Sequence, residues 1–201
     1  YFAMCYPYTY SDLRAYLARL QADPLRARHV RRQRLALTIA GNECEMLWVT
    51  DHASPAEAVN ARPVVAISAR VHPGEANASW MIQGVIEYLT GGSHDAKILR
   101  DHFVFKLVPM LCPDGVHRGH YRADTLGQNL NRCYGDAQLE TQPSCYAVRQ
   151  LVSQLHAEGR LRCYIDTHGH ATKRGCFLYG NALPDACLLY TSDAADETEG
   201  V

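Results

Sequence analysis

Pro63–Ala69 (PVVAISA) is a continuous apolar, β-branched run, the pattern of a strand buried on both faces inside an α/β sheet. Phe103–Met110 (FVFKLVPM) and Leu161–Asp166 read the same way. Helical patterns lie between them. Asn77–Leu89 predicts a helix with Trp80, Met81, Gly84, Val85 and Leu89 near one face, stopped by Gly91-Gly92. Ala96–Arg100 predicts a short helical piece, and Tyr146–His156 a helix closed by Gly159. Strands alternating with helices imply an α/β fold with a mixed, largely parallel sheet flanked by helices. Ligands in such sheets bind beyond the carboxyl ends of the strands.

The flanks are less regular. Ser11–Leu20 carries a cap and then Leu13, Tyr16, Leu17 and Leu20 at helical spacing, with Asp23-Pro24 ending the helix. Arg26–Arg34 (RARHVRRQR) reads as a solvated linker or a strand edge. Leu35–Ile39 and Glu45–Thr50 predict two strands around Gly41-Asn42, and 51–62 a loop. Pro113-Asp114-Gly115 predicts a turn, and Cys176–Tyr179 is a candidate fourth strand of the series.

At 201 residues the chain suits one sizeable core. A net charge of −1 gives no bulk-electrostatic reason to expect nucleic-acid or membrane-surface binding. No apolar run approaches membrane-spanning length. The first residue is not Met, which predicts a start inside a longer protein, and YFAMCYPYTYSD lacks the layout of a secretory signal. The eight cysteines form no C-x-x-C pair, and reduced, buried thiols of a cytosolic protein are the expected state.

Chemistry concentrates at the predicted strand ends. His72-Pro73-Gly74-Glu75 follows the first buried strand, and His168 follows Leu161–Asp166. Two imidazoles and a carboxylate, the first pair local and the third ligand remote, suit a catalytic zinc site of the His2Glu kind. Pro73 and Gly74 supply the tight turn between the local ligands, Gly by accepting backbone angles that other residues avoid. Zinc bound there would polarise a carbonyl and lower the pKa of its water towards about 7. His170 is the rival third ligand; His168 is preferred because it lies closer to the strand end. Asn129 and Asp166 are candidates for holding a ligand histidine by its other ring nitrogen, although Asp166 could equally cap a strand end. Arg122, Asn131 and Arg132 lie in polar loops where an arginine fork could take a carboxylate or stabilise an oxyanion, against the commoner outcome of a solvated charge.

The series RVHPGEANASW, FVFKLVPMLCPDGVHRGHYRAD, GQNLNR and YIDTHGHATKRGCFLYGN resembles the cytosolic carboxypeptidases, a branch of the zinc metallocarboxypeptidases. The wording of the last three is most similar to the type 5 member, which removes branch-point glutamate from tubulin. The resemblance implies one zinc held by His72, Glu75 and His168. It implies an oxyanion and substrate role for Arg122, and a grip on the substrate's terminal carboxylate by Asn131 and Arg132. The implied activity is hydrolysis of carboxyl-terminal or branch-point glutamate from acidic protein tails such as tubulin's, in the cytoplasm, with Lys173 and Arg174 as further cations.

Three departures stand out. Cys112 replaces the family's usual Asn, and Thr167 its usual Leu. The general-base glutamate, which the family carries well downstream of the last ligand, has no counterpart motif, so the chain itself is expected to be inactive. From about Cys187 the sequence CLLYTSDAADETEGV leaves the family pattern and resembles translated adapter read-through. The expected organisation is a junction region over 1–62, the N-terminal half of a catalytic domain over 63–186, incomplete at its C-terminus, and an artefactual tail over 187–201. The rival readings are an amidohydrolase like aspartoacylase or succinylglutamate desuccinylase, and a zinc-binding fragment without catalysis.

Overall fold

A computed structural model of the protein describes residues 5–180. The expected tail over 187–201 and the end of the 63–186 region lie outside the described residues. Within them the chain forms α1 (Tyr10–Ala22), α2 (Pro24–Ala27), β1 (Val30–Leu37), β2 (Glu43–Val49), α3 (Ala56–Ala61) and β3 (Val64–Ala69). It continues through α4 (Ala76–Thr90), α5 (His94–His102), β4 (Val104–Val108) and α6 (Pro113–Arg118) to a 3-10 turn (Leu130–Arg132), α7 (Pro143–Ala157) and β5 (Leu161–Thr167).

The strands form one mixed sheet in the order β1-β2-β4-β3-β5. β1 with β2 and β2 with β4 are antiparallel, whereas β3 runs parallel to both β4 and β5. The parallel strands end level. Ser68 pairs with Val108 on one side and Asp166 on the other, and Ala69 pairs with Thr167. The loops that leave β3 and β5 therefore emerge side by side.

Two apolar clusters sandwich the sheet. On one face α1 and α4 pack Leu13, Leu17, Ile82 and Ile86 against Leu47, Ile67, Phe105 and Leu107. On the other, Val148, Val152 and Leu155 of α7 cover Val64, Ala66, Val104, Val108 and Tyr164. Alternate residues of each central strand serve opposite faces, which is why those strands read as unbroken apolar runs.

Several local expectations change. The cap of α1 is Thr9, whose side chain accepts from the Asp12 amide while the Asp12 carboxylate accepts from the Thr9 amide, a reciprocal capping box. Of the two readings of the basic run, the strand edge holds: its second half opens β1, an edge strand. Arg32 pairs with the buried Glu45 and Arg34 lies 3.8 Å from Glu43 across the ladder, and charge on an edge also discourages pairing with other chains. The predicted loop over 51–62 contains α3, which buries Val59. Helix α4 turns a different face inward: Ala78, Ser79, Ile82, Ile86 and Leu89 are buried, while Trp80 and Met81 are 41% and 45% exposed. The small residues let α4 approach the sheet, and Trp80 instead meets the Tyr8 ring edge-on at 4.8 Å. Residues 176–179 form no strand. The seven cysteines among the described residues are free thiols; Cys44, Cys112 and Cys145 are buried, but Cys5 and Cys176 are exposed.

Pro113-Asp114-Gly115 opens α6 rather than making a turn. The buried Asp114 carboxylate accepts from Thr38 Oγ1, the Ala40 amide (3.0 Å) and Asn42 Nδ2 (2.8 Å), fastening the β1–β2 hairpin to the loop beyond β4. Replacing Asp114 with Ala should strand these donors and lower stability by about 2–3 kcal/mol, read as a lower urea midpoint at unchanged slope.

Candidate metal centre

The turn after β3 brings two potential ligands together. His72 is 1% exposed, and its Nδ1 lies 2.9 Å from Glu75 Oε1. Gly74 serves this turn by proximity: its amide donates to the Tyr121 carbonyl at 2.6 Å, and a Cβ there would come within 2.6 Å of the Tyr121 ring. Its φ is not positive, so the expected need for unusual backbone angles gives way to a need for space. From the end of β5, His168 Nδ1 lies 3.1 Å from Glu75 Oε2, and the Gly169 amide donates to the same oxygen at 2.8 Å. A side chain at Gly169 would collide with Asn77, 2.6 Å away.

One potential ligand atom from each of His72, Glu75 and His168 lies within 4.8 Å of the others. The outer ring nitrogens explain why this set suits a cation. Asn129 Oδ1 accepts from the Asn131 amide and lies 3.1 Å from His72 Nε2, so that nitrogen carries the proton. Asp166 Oδ2 lies 3.1 Å from His168 Nε2 and, as a carboxylate, can only accept. In the tautomer that a metal ligand requires, each ring then presents its Nδ1 lone pair towards Glu75. Two imidazole lone pairs and a carboxylate converging without bound positive charge would repel, and a divalent cation resolves that conflict. The donor set fits zinc.

Asp166 is itself anchored. Ser68 Oγ donates to Asp166 Oδ1 at 2.6 Å and Tyr134 OH to Oδ2 at 3.3 Å, while Tyr164 OH lies 2.6 Å from Ser68 Oγ. Burial, then the Asp166 charge, pushes both phenols well above their ordinary range, so they remain protonated donors. Sequence reasoning missed Ser68, Tyr134 and Tyr164; a serine inside PVVAISA was the one available signal, because a hydroxyl in a buried strand needs a partner.

Burial opposes ionisation of Glu75, but with no cation bound and the facing rings protonated, hydrogen bonds and charge from His168 and His72 outweigh it and lower its pKa to about 2. Glu75 therefore stays a ligand-competent carboxylate through the neutral range. Its stabilising contribution is complete above the ordinary value of 4.5 and disappears as pH falls through about 2.

The other sequence candidates lie in the neighbouring loops. His170 Nδ1 accepts from the Thr172 and Lys173 amides at 3.2 and 3.0 Å, so that nitrogen is engaged within its own loop. Arg122 is half-buried between Tyr121, which touches Gly74, and Ala123, whose carbonyl crowds Gly115. Asn131 is buried and Arg132 exposed in the 3-10 turn capped by Asn129, the residue on His72. The purified chain should retain about one zinc. His72→Ala should lose it and His170→Ala keep it, measured by elemental analysis after desalting. Tyr134→Phe, which frees one Asp166 contact, should weaken zinc roughly tenfold.

Comparison with known proteins agrees with this geometry. The zinc carboxypeptidase family model matches residues 13–181. Cytosolic carboxypeptidase 3 of Bos taurus is 43% identical over 187 residues, covering 93% of this chain and 18% of that protein. Cytosolic carboxypeptidase 2 of Danio rerio is 43% identical over 191 residues, covering 94% and 26%. A metallo-carboxypeptidase structure from Burkholderia cenocepacia superposes with a TM-score of 0.68 at 30% identity, covering 81% of this chain and 41% of that one. The chain thus spans about a fifth to a quarter of the length of these curated relatives. These similarities do not separate type 5 from the other cytosolic carboxypeptidases. With its metal-binding geometry and sequence match in accord, the chain belongs to the zinc carboxypeptidase family.

Proposed function

We propose that this chain supplies the zinc-binding part of a metallocarboxypeptidase that removes glutamate from the ends or branch points of acidic protein tails, tubulin's among them. The observation that carries the reading is the convergence of His72, Glu75 and His168 at the level ends of two parallel strands. Zinc held there supplies Lewis acidity towards a scissile carbonyl and an activated water. The protein's own residues supply the remainder. Arg122, beside the metal turn, stabilises negative charge developing on the carbonyl oxygen. Asn131 and Arg132, carried by the turn that Asn129 caps, hold the carboxylate of the departing residue. The names of the curated relatives support a cytosolic location. No helix among the described residues is long and apolar enough to cross a membrane.

Binding without turnover is the second reading, favoured by the state of the carboxylates. Both oxygens of Glu75 face ligand rings, and Asp166 is occupied by His168, Ser68 and Tyr134. Neither is available to take a proton from water. We propose that the general base is not among the described residues, so this chain binds acidic peptides but turns them over about 100- to 10,000-fold more slowly than an enzyme with its base in place.

A zinc-loaded sample should bind a peptide ending in Glu-Glu more tightly than one ending in Ala-Ala. Arg132→Ala should abolish most of that preference, as measured by calorimetry. Equal affinity for the two peptides would remove the proposed acidic specificity. Released glutamate at rates typical of complete enzymes would instead remove the proposal of a missing base.

A further inference from the structure

Arg70 combines two local costs two residues before the first metal ligand. It is the one non-glycine residue with positive φ among the described residues, at 59°. For an L-residue with a Cβ that conformation is strained, a strain glycine would avoid. Its side chain is also buried, at 4% exposure, although a guanidinium always carries its charge and loses solvation there. Backbone strain of this kind persists only where the surroundings over-determine it.

The contacts of the guanidinium show what does so. Nε donates to the Pro73 carbonyl at 2.8 Å, and Nη1 donates to Ser79 Oγ at 2.7 Å and to the Tyr8 carbonyl at 3.1 Å. Pro73 lies inside the turn that sets the separation of His72 from Glu75. Ser79 lies in α4, which starts directly after Glu75. Tyr8 immediately precedes the cap of α1 and donates its own hydroxyl to Gln83 of α4 at 2.9 Å. The Arg70 carbonyl meanwhile accepts from the Cys112 amide at 3.1 Å, fixing the backbone from the α6 side. The left-handed backbone thus accompanies a guanidinium that ties three separate segments together under the metal turn.

We propose that Arg70 is a positioning residue for the metal centre: its buried guanidinium holds the Pro73 carbonyl and thereby sets the ligand spacing of His72 and Glu75. This rests on the zinc reading above and assigns a role to a residue outside the ligand set. Metal–ligand bonds are about 2.0–2.2 Å long, so a small relaxation of the turn is felt directly in affinity. Loss of supporting contacts beyond the ligands typically weakens metal binding about 10- to 100-fold. Lysine in place of Arg70 cannot reproduce the planar fork that reaches Pro73 and Ser79 together.

The test uses the whole 201-residue chain. Zinc affinity is measured by competition with a chromophoric chelator for wild type, R70G, R70K and S79A, alongside the thermal midpoint of each chelated protein. The cobalt-substituted proteins report ligand geometry through their visible absorption bands. R70G removes the strain as well as the clamp. The expected result is a 10- to 100-fold loss of zinc affinity with altered cobalt bands, a smaller loss in R70K, and near-wild-type affinity in S79A, which keeps the Pro73 contact. Wild-type zinc affinity and cobalt bands in R70G, whatever its melting temperature, would overturn the proposal and leave Arg70 a structural cation. If R70G does not fold, R70K decides, and an unchanged affinity there overturns it. Failure of wild type itself to bind zinc would instead sink the metal reading.

Discussion

The register between β3 and β5 is the constraint on which the site depends. Ser68 sits opposite Asp166 and Ala69 opposite Thr167, so the residues leaving each strand enter the same space. Side chains alternate along a strand, and a slip of one residue would send Asp166 to the opposite face. It would lose Ser68, and His168 would lose the carboxylate that orients its ring. The apolar alternation of β3 holds the register, because Ala66 and Ile67 must reach different cores. Fold and chemistry are coupled at this pair: the pattern that buries the strand also aims the ligand.

Around the ligands, buried polar groups are joined outward in layers. Glu75 meets both histidines; Asn129 and Asp166 hold the far sides of the rings; Ser68 and Tyr134 hold Asp166. Each group would be expensive to bury alone, and each is matched to a partner. Such an arrangement limits ring rotation and leaves Nδ1 of each ring as the nitrogen turned towards a cation. At the same turn Arg70 supplies a fixed charge and donors to carbonyls. Glycines serve a different purpose here. Gly74 and Gly169 leave room for Tyr121 and Asn77 to close against the centre, so their missing side chains are part of its shape.

The sequence made some of this legible and hid the rest. The three buried strands were readable because continuous apolar runs have few alternatives. Helix α4 was readable as a helix, yet its buried face was not. Trp80 and Met81 looked like core residues by hydrophobicity, but small Ala78 and Ser79 allow the closer approach to the sheet. The basic run before β2 left linker and strand edge both open because its arginines pair across the ladder rather than bury. Asn129 and Asp166 were nameable as supports for ligand histidines. Tyr134 was not, since no spacing rule links a loop tyrosine to an aspartate 32 residues away.

Residue type and order by themselves determined the class of sheet, the family resemblance and which three side chains could make a zinc site, because those follow from local pattern and ligand chemistry. Only the tertiary structure decided which histidine nitrogen faces Glu75, which face of α4 is inward, and that Arg70 sits strained beneath the turn. Those outcomes depend on contacts between segments far apart in the chain, whose geometry is set when the sheet register and the two cores are satisfied together.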